Sequence, residues 1–165
     1  MEISIKSSIQ FGSIIFTGLS AGLFFAWSVS VIPGTQKLLD LTYLETMQSI
    51  NRAILNPVFF IVFFGTAIFL SLTSIYEYHS NPWAFGLFLA ASIIYLIGTI
   101  GVTGLGNVPL NQQLELLNLA ELQVEKIESF RKLYETNWNR LHLIRTICAF
   151  LALVLTALAV IIESK

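Results

Sequence analysis

Charge is what this chain has least of. Of its 165 residues, 12% are Asp, Glu, Lys or Arg, about half the roughly 25% of an ordinary soluble domain, while 55% are hydrophobic. The formal net charge is -1, so nothing is present to neutralise a phosphate backbone, and general nucleic-acid binding is excluded. The single Cys148 lies in an apolar run. It has no partner for an intrachain disulfide, and one thiol falls far short of a Cys-based zinc or iron–sulfur site. Histidine is also scarce: only His79 and His142 occur, with no H-x-x-x-H or E-x-x-H ligand pair.

The charges that are missing leave four long apolar windows. Ser7–Gln36, Ala53–Tyr76 and Pro82–Leu114 contain no Asp, Glu, Lys or Arg, and Thr146–Ile162 is the fourth such stretch. A hydrocarbon core of about 30 Å takes roughly 20 residues of helix. At about 1.5 Å per residue the fourth window reaches only about 25 Å. That helix must therefore begin near Leu141, which draws His142 and Arg145 into the membrane. The apolar N-terminal region is too long for a signal-peptide core and lacks an A-x-A-like site, so it reads as a first retained span. The expected fold is all-α: one transmembrane domain over residues 1–165, an up-down four-helix bundle with spans at about 9–32, 56–76, 83–104 and 141–162.

The connections are unequal. Between spans one and two, Leu44, Met47, Ile50 and Ile54 recur at helical spacing. Between spans three and four, Leu119, Leu122, Ile127, Phe130, Leu133 and Tyr134 do the same. Both long connections are expected to carry amphipathic helices, and continuity of the second with span four would make a rod that protrudes from the bilayer. Asn81-Pro82 makes the short middle turn. Lys6 and Lys165 are the only cations on the side of the termini, against Lys37, Arg52, Lys126, Arg131, Lys132 and Arg140 on the other. The positive-inside rule then puts the long connections in the cytoplasm, in the cell (inner) membrane. Pro109, and likewise Pro33 in "SVIPG", are expected to end their spans, span three near Gly106.

Polar groups crowd one end of this bundle. "MQSINRAILNP", "GNVPLNQQL" and "NWNRLHLIRT" all abut it, whereas the other end shows little beyond Glu77 and His79. Gln48, Asn51 and Arg52 share a helical face, with Asn56 a turn along, and Trp138, His142 and Arg145 share another. Amides, Arg and His at membrane depth are costly unless they face the interior or a wet cavity, so a cavity is expected. A plainer reading keeps Arg140, Arg145 and Trp138 as interfacial anchors, the asparagines as caps, and the glycines, including Gly18-x-x-x-Gly22, as helix packing. With the two histidines on opposite sides of the membrane, no bis-His haem or His-pair metal site is available, which leaves a five-coordinate haem on His142 alone. No metal or other cofactor is expected, and the lack of a carboxylate within any span core counts against a proton-driven transporter.

"GLFFAWSVSVIPG", "MQSINRAILNPVF", "YLIGTIGVTGLGNVPLNQQL" and the terminal W…R-T entrance resemble the anthrone oxygenase-like family of small four-helix membrane proteins. The blocks cover nearly the whole chain in the family's order. "INRAILNP" and "NVPLN" are the specific parts. The pattern departs at Leu141-His142, where the family carries Trp-Asn. The resemblance implies oxidation of anthrones by molecular oxygen without bound metal or flavin. On that basis His142 is the expected base. Arg145, Arg52, Asn107 and Asn111 are the expected oxyanion donors, and Phe24, Phe25, Trp27 and the span-three glycines the expected slot for a planar ring. Gln48, Asn51, Asn56 and Trp138 complete the expected binding set. The expected partners are a hydrophobic aromatic molecule, O2 and membrane lipid, and the sequence is silent on oligomeric state. A second class stays open: a non-catalytic membrane protein that binds a lipid or quinone-like ligand or serves as an accessory subunit, for which the same apolar cavity with convergent polar groups would serve.

Overall fold

The computed structural model describes residues 4–163, so Lys165, counted above among the cations beside the termini, lies outside the described residues. Four helices are long and apolar enough to cross a membrane: α1 (Ile5–Thr35), α3 (Pro57–Glu77), α4 (Pro82–Glu115) and α5 (Val124–Glu163). The amphipathic α2 (Asp40–Ala53) joins α1 to α3. Asparagine side chains start two of the spans. Asn56 Oδ1 accepts from Phe59 N (3.0 Å) and Asn81 Oδ1 from Trp83 N and Ala84 N (3.0 and 3.2 Å), each with proline at the first helical position. Such caps satisfy backbone N–H groups that have no intrahelical partner.

The four spans pack in a ring, α1 against α3 and α5, and α4 against α3 and α5. Their apolar core is built on Phe24, Phe63, Leu70, Phe88, Tyr95 and buried alanines. Close approach of α4 to α5 depends on Gly98 and Gly106, where an added Cβ would strike Cys148 and Leu141 respectively. Gly18 and Gly22 instead face open space, so within the bundle no helix packs against that pair. A second cluster, Tyr43, Leu44, Met47, Leu114, Leu119, Ile127, Tyr134 and Trp138, packs α2 and the end of α4 onto the protruding part of α5. The rod is a single helix of 40 residues. It begins only after the short 3-10 turn at Leu119–Glu121, and Leu133 points outward, 57% exposed. Arg131 fastens the layer: it donates to the carbonyls of Gln36 and Leu38 (3.0 and 2.6 Å) and pairs with Asp40 (2.7 Å). Burial pushes the Tyr43 phenol above its ordinary range, so it stays un-ionised inside this cluster.

Two spans run past the prolines expected to end them. Immediately before Pro33 and Pro109 the backbone becomes π-helical, over Trp27–Val31 and Thr103–Asn107, and a further π-helical segment spans Tyr95–Gly101. Ile32 N–H donates to the Trp27 carbonyl and Val108 N–H to that of Thr103, each five residues back. The wider turn accommodates a residue that cannot donate and whose ring crowds the preceding turn. Helix therefore continues to Thr35 and Glu115 rather than ending near Pro33 and Gly106.

The inner face of α1 is polar. Gln10, Ser13, Thr17 and Ser20 are all buried, and most are bonded across helices. Ser13 Oγ meets Thr73 Oγ1 at 2.7 Å and Ser20 Oγ meets Tyr95 Oη at 2.8 Å, while Tyr95 donates to the Phe63 carbonyl (3.0 Å). In lipid such bonds help hold helices together, at about 0.6 kcal/mol each on average. At the end that carries the termini, Glu77 is completely buried and pairs with Lys6 (3.0 Å), which also pairs with Glu163, and Gln10 donates to both carboxylates. That end is thus a compact ionic clasp, contrary to the expectation of little polar structure there.

Candidate functional site

At the opposite end a cavity of about 350 Å³ opens between α1, α2, the start of α3, α4 and α5. This lies near the lower limit of the roughly 300–1,000 Å³ of small-molecule sites. Trp27, Asn51, Arg52, Asn107, Asn111, Trp138 and Arg145 line it, which brings together most of the residues expected to bind. Phe24 lines it as well, but Phe25 is 59% exposed on the outer face and none of the span-three glycines reaches it. The π-helical turns of α1 and α4 flank the site: Trp27 begins one and Asn107 ends the other.

Arg145 is the centre of the arrangement. It is only 8% exposed, and no carboxylate pairs with it among the described residues. Its guanidinium carbon lies 4.9 Å from the centroids of both Phe24 and Trp138, so the cation sits between two ring faces. Such contacts return part of the lost hydration, up to about 2 kcal/mol when desolvated. They leave the charge itself uncompensated.

His142, 1% exposed, stands behind Arg145 and does not line the cavity. Arg145 Nε and Nη2 lie 3.2 and 3.1 Å from His142 Nδ1. A guanidinium can only donate, so Nδ1 must accept and the ring proton sits on Nε2. Ser28 Oγ (3.0 Å) and Thr146 Oγ1 (3.2 Å) are the partners of that nitrogen. The imidazole also stacks on Trp138, with centroids 5.2 Å apart and planes 8° apart. Both nitrogens of His142, the base expected from the resemblance, are thus engaged by neighbouring side chains, and the ring stands outside the cavity lining.

The amides are oriented by their neighbours. Asn111 Oδ1 accepts from Tyr134 Oη (3.0 Å) and Trp138 Nε1 (2.9 Å), and Asn51 Nδ2 donates to Tyr134 Oη (3.2 Å). Asn107 Nδ2 donates to the Trp138 carbonyl (3.3 Å), which leaves Oδ1 buried without a partner. Two expected binding residues stand elsewhere. Gln48 donates to the carbonyls of Leu114 and Leu117 (2.9 and 3.3 Å), and Asn56 is the α3 cap; neither reaches the cavity. At the rim, Arg52 Nε bridges to Glu115 (2.8 and 3.1 Å), an exposed pair across the mouth. Sequence reasoning had no part for Glu115 or Thr103, both of which line the site. Their helical spacing from Asn107 and Asn111 is the signal that marks them once α4 is known to continue.

Four helices long and apolar enough to cross a membrane, packed around a cavity that a buried guanidinium lines, describe an integral membrane helical bundle. The anthrone oxygenase family model matches residues 48–155, and the chain belongs to that family. The matched stretch runs from α2 into α5 and holds every cavity-lining residue except those of α1. No curated protein and no solved structure matches the chain.

Proposed function

We propose that this protein is a membrane oxygenase that binds a planar phenolic or anthrone-like molecule as its anion beside Arg145 and lets it react with O2. The observation that carries the reading is Arg145: a guanidinium buried at a largely apolar cavity, against two aromatic rings, with no carboxylate paired to it among the described residues. A buried cation left unpaired is costly, and a ligand anion offsets that cost. The charge would stabilise the developing oxyanion of an enolised anthrone more than the neutral ground state, the differential that lowers a barrier.

The chemistry balances with O2 as the oxidant. The ring CH2 loses a proton, and the resulting delocalised anion passes one electron to O2. The carbon radical and superoxide join to form a C–O bond, giving a hydroperoxide once protonated. Loss of the second C–H proton with cleavage of the O–O bond leaves the ketone and releases water. Glu115 is the one carboxylate that lines the cavity; both its oxygens accept from Arg52 Nε, so it takes the first proton once that bridge opens. His142 serves by holding Arg145 in place. Lys37, Lys126, Lys132 and Arg140 at the cavity end, which form no ion pair among the described residues, support an orientation with that end in the cytoplasm, in the cell membrane.

The test is O2 consumption by the purified protein with unsubstituted and hydroxylated anthrones, set against Arg145→Gln. Uptake coupled one-to-one to quinone formation, and lost in Arg145→Gln, is the expected result. Tight anthrone binding with no O2 uptake would instead support a non-catalytic ligand-binding protein.

A further inference from the structure

The two cavity asparagines present opposite ends. Donors from Tyr134 and Trp138 occupy Asn111 Oδ1, so its Nδ2 amide, which makes no hydrogen bond among the described residues, is free to donate. Asn107 is turned the other way. The atom facing the Trp138 carbonyl must be the amide nitrogen, because two carbonyl oxygens cannot share a hydrogen bond. Its Oδ1 is left as a buried acceptor without a partner among the described residues, on a residue only 1% exposed. An unmade hydrogen bond on a buried carbonyl costs about 1–3 kcal/mol. Native proteins rarely keep one unless something else supplies the donor.

A carbonyl oxygen repels an anion. Asn107 Oδ1 therefore cannot serve the oxyanion that Arg145 holds, although the family resemblance makes Asn107 and Asn111 expected donors to that charge. From this orphaned acceptor we infer that Asn107 is a specificity-determining residue: it selects ligands that carry a second, un-ionised hydroxyl apart from the anionic oxygen. The inference rests on the proposed function above and deepens it. Arg145 and Asn111 Nδ2 take the electron-rich oxygen, and Asn107 Oδ1 takes the O–H. Ring systems with a single oxygen leave Asn107 unpaired, and ethers at the second position replace its donor with a methyl group.

The experiment is equilibrium binding to the full chain in detergent micelles, followed by quenching of the Trp27 and Trp138 fluorescence. The probes are 1,5-, 2,6- and 2,7-dihydroxynaphthalene, each paired with its monomethyl ether. For at least one isomer the diol is expected to bind about tenfold more tightly than its ether, the ratio equivalent to about 1.4 kcal/mol. Asn107→Leu should abolish that ratio, whereas Arg145→Gln should weaken diol and ether together. Equal binding of every diol and ether by the native protein overturns the inference, and that comparison requires no variant to fold. If Arg145→Gln still weakens binding in that case, the proposed function survives while the role of Asn107 falls. If no naphthol binds, or Arg145→Gln changes nothing, both fall together.

Discussion

The two ends of this bundle each bury charge, and they treat it in opposite ways. At one end Lys6, Glu77, Glu163 and Gln10 close on one another, so that the buried carboxylate of Glu77 meets a cation and an amide from α1. At the other, Arg145 is nearly as deep, but its neighbours are two aromatic faces and a histidine nitrogen. Charge of one sign balanced by the other makes a fastening. A cation without its counter-charge, beside open space, leaves room for a ligand to supply it, as proposed above. Burial alone would not separate the two; the partner inventory does.

That contrast can be broken most forcefully at the clasp. Glu77→Ala removes one partner of a buried pair, a change that costs about 3–5 kcal/mol. It should lower the thermal midpoint in detergent markedly while leaving ligand affinity in the surviving folded protein unchanged; a matched loss of affinity would show that the ends are not independent. Arg145→Gln should do the reverse. Turnover is expected to fall about 10²–10³-fold, the scale of losing one oxyanion donor, while the thermal midpoint rises because an uncompensated charge has left the interior. A drop in midpoint would mean that Arg145 is structural after all.

A smaller effect sharpens the part played by His142. His142→Leu leaves the guanidinium present but untethered and should lower turnover roughly tenfold. His142→Gln keeps an acceptor for Arg145 and should restore most of the rate, with an unchanged pH profile. Failure of glutamine to rescue would return the histidine to the role of base. The smallest change belongs to the rim. Arg52→Ala breaks an exposed pair worth less than about 1 kcal/mol, so stability should barely move, and stopped-flow quenching should register faster ligand entry if the pair narrows the mouth.

Much of this was legible in the sequence because membrane burial leaves coarse marks. Charge-free windows located the four spans, and the crowding of Asn51, Arg52, Asn107, Asn111, Trp138 and Arg145 at one end anticipated the cavity they line. What was not legible depended on geometry that residue type does not encode. Proline ordinarily ends a helix, so the π-helical turns that carry α1 past Pro33 and α4 past Pro109 were invisible, and Glu115 fell outside the expected site. Spacing placed His142 and Arg145 on one face but could not say which stood in front. The direction of the Asn107 amide was likewise beyond reach, since it follows from the Trp138 carbonyl. The polar face of α1 did leave a signal, with Gln10, Ser13, Thr17 and Ser20 recurring every three or four residues, and Glu77 needed only that face as its counterpart.

The unbroken α5 rod has a mechanical consequence. Its 40 residues contain neither glycine nor proline, so it has no built-in joint along a length of about 60 Å. Arg131 grips the start of α2 near one end, while Arg145 faces the cavity about four turns further on. Arg131 and Arg145 are thus joined by continuous helix, the second of them against Phe24 of α1. One element therefore carries both the fastening at α2 and the guanidinium in the cavity.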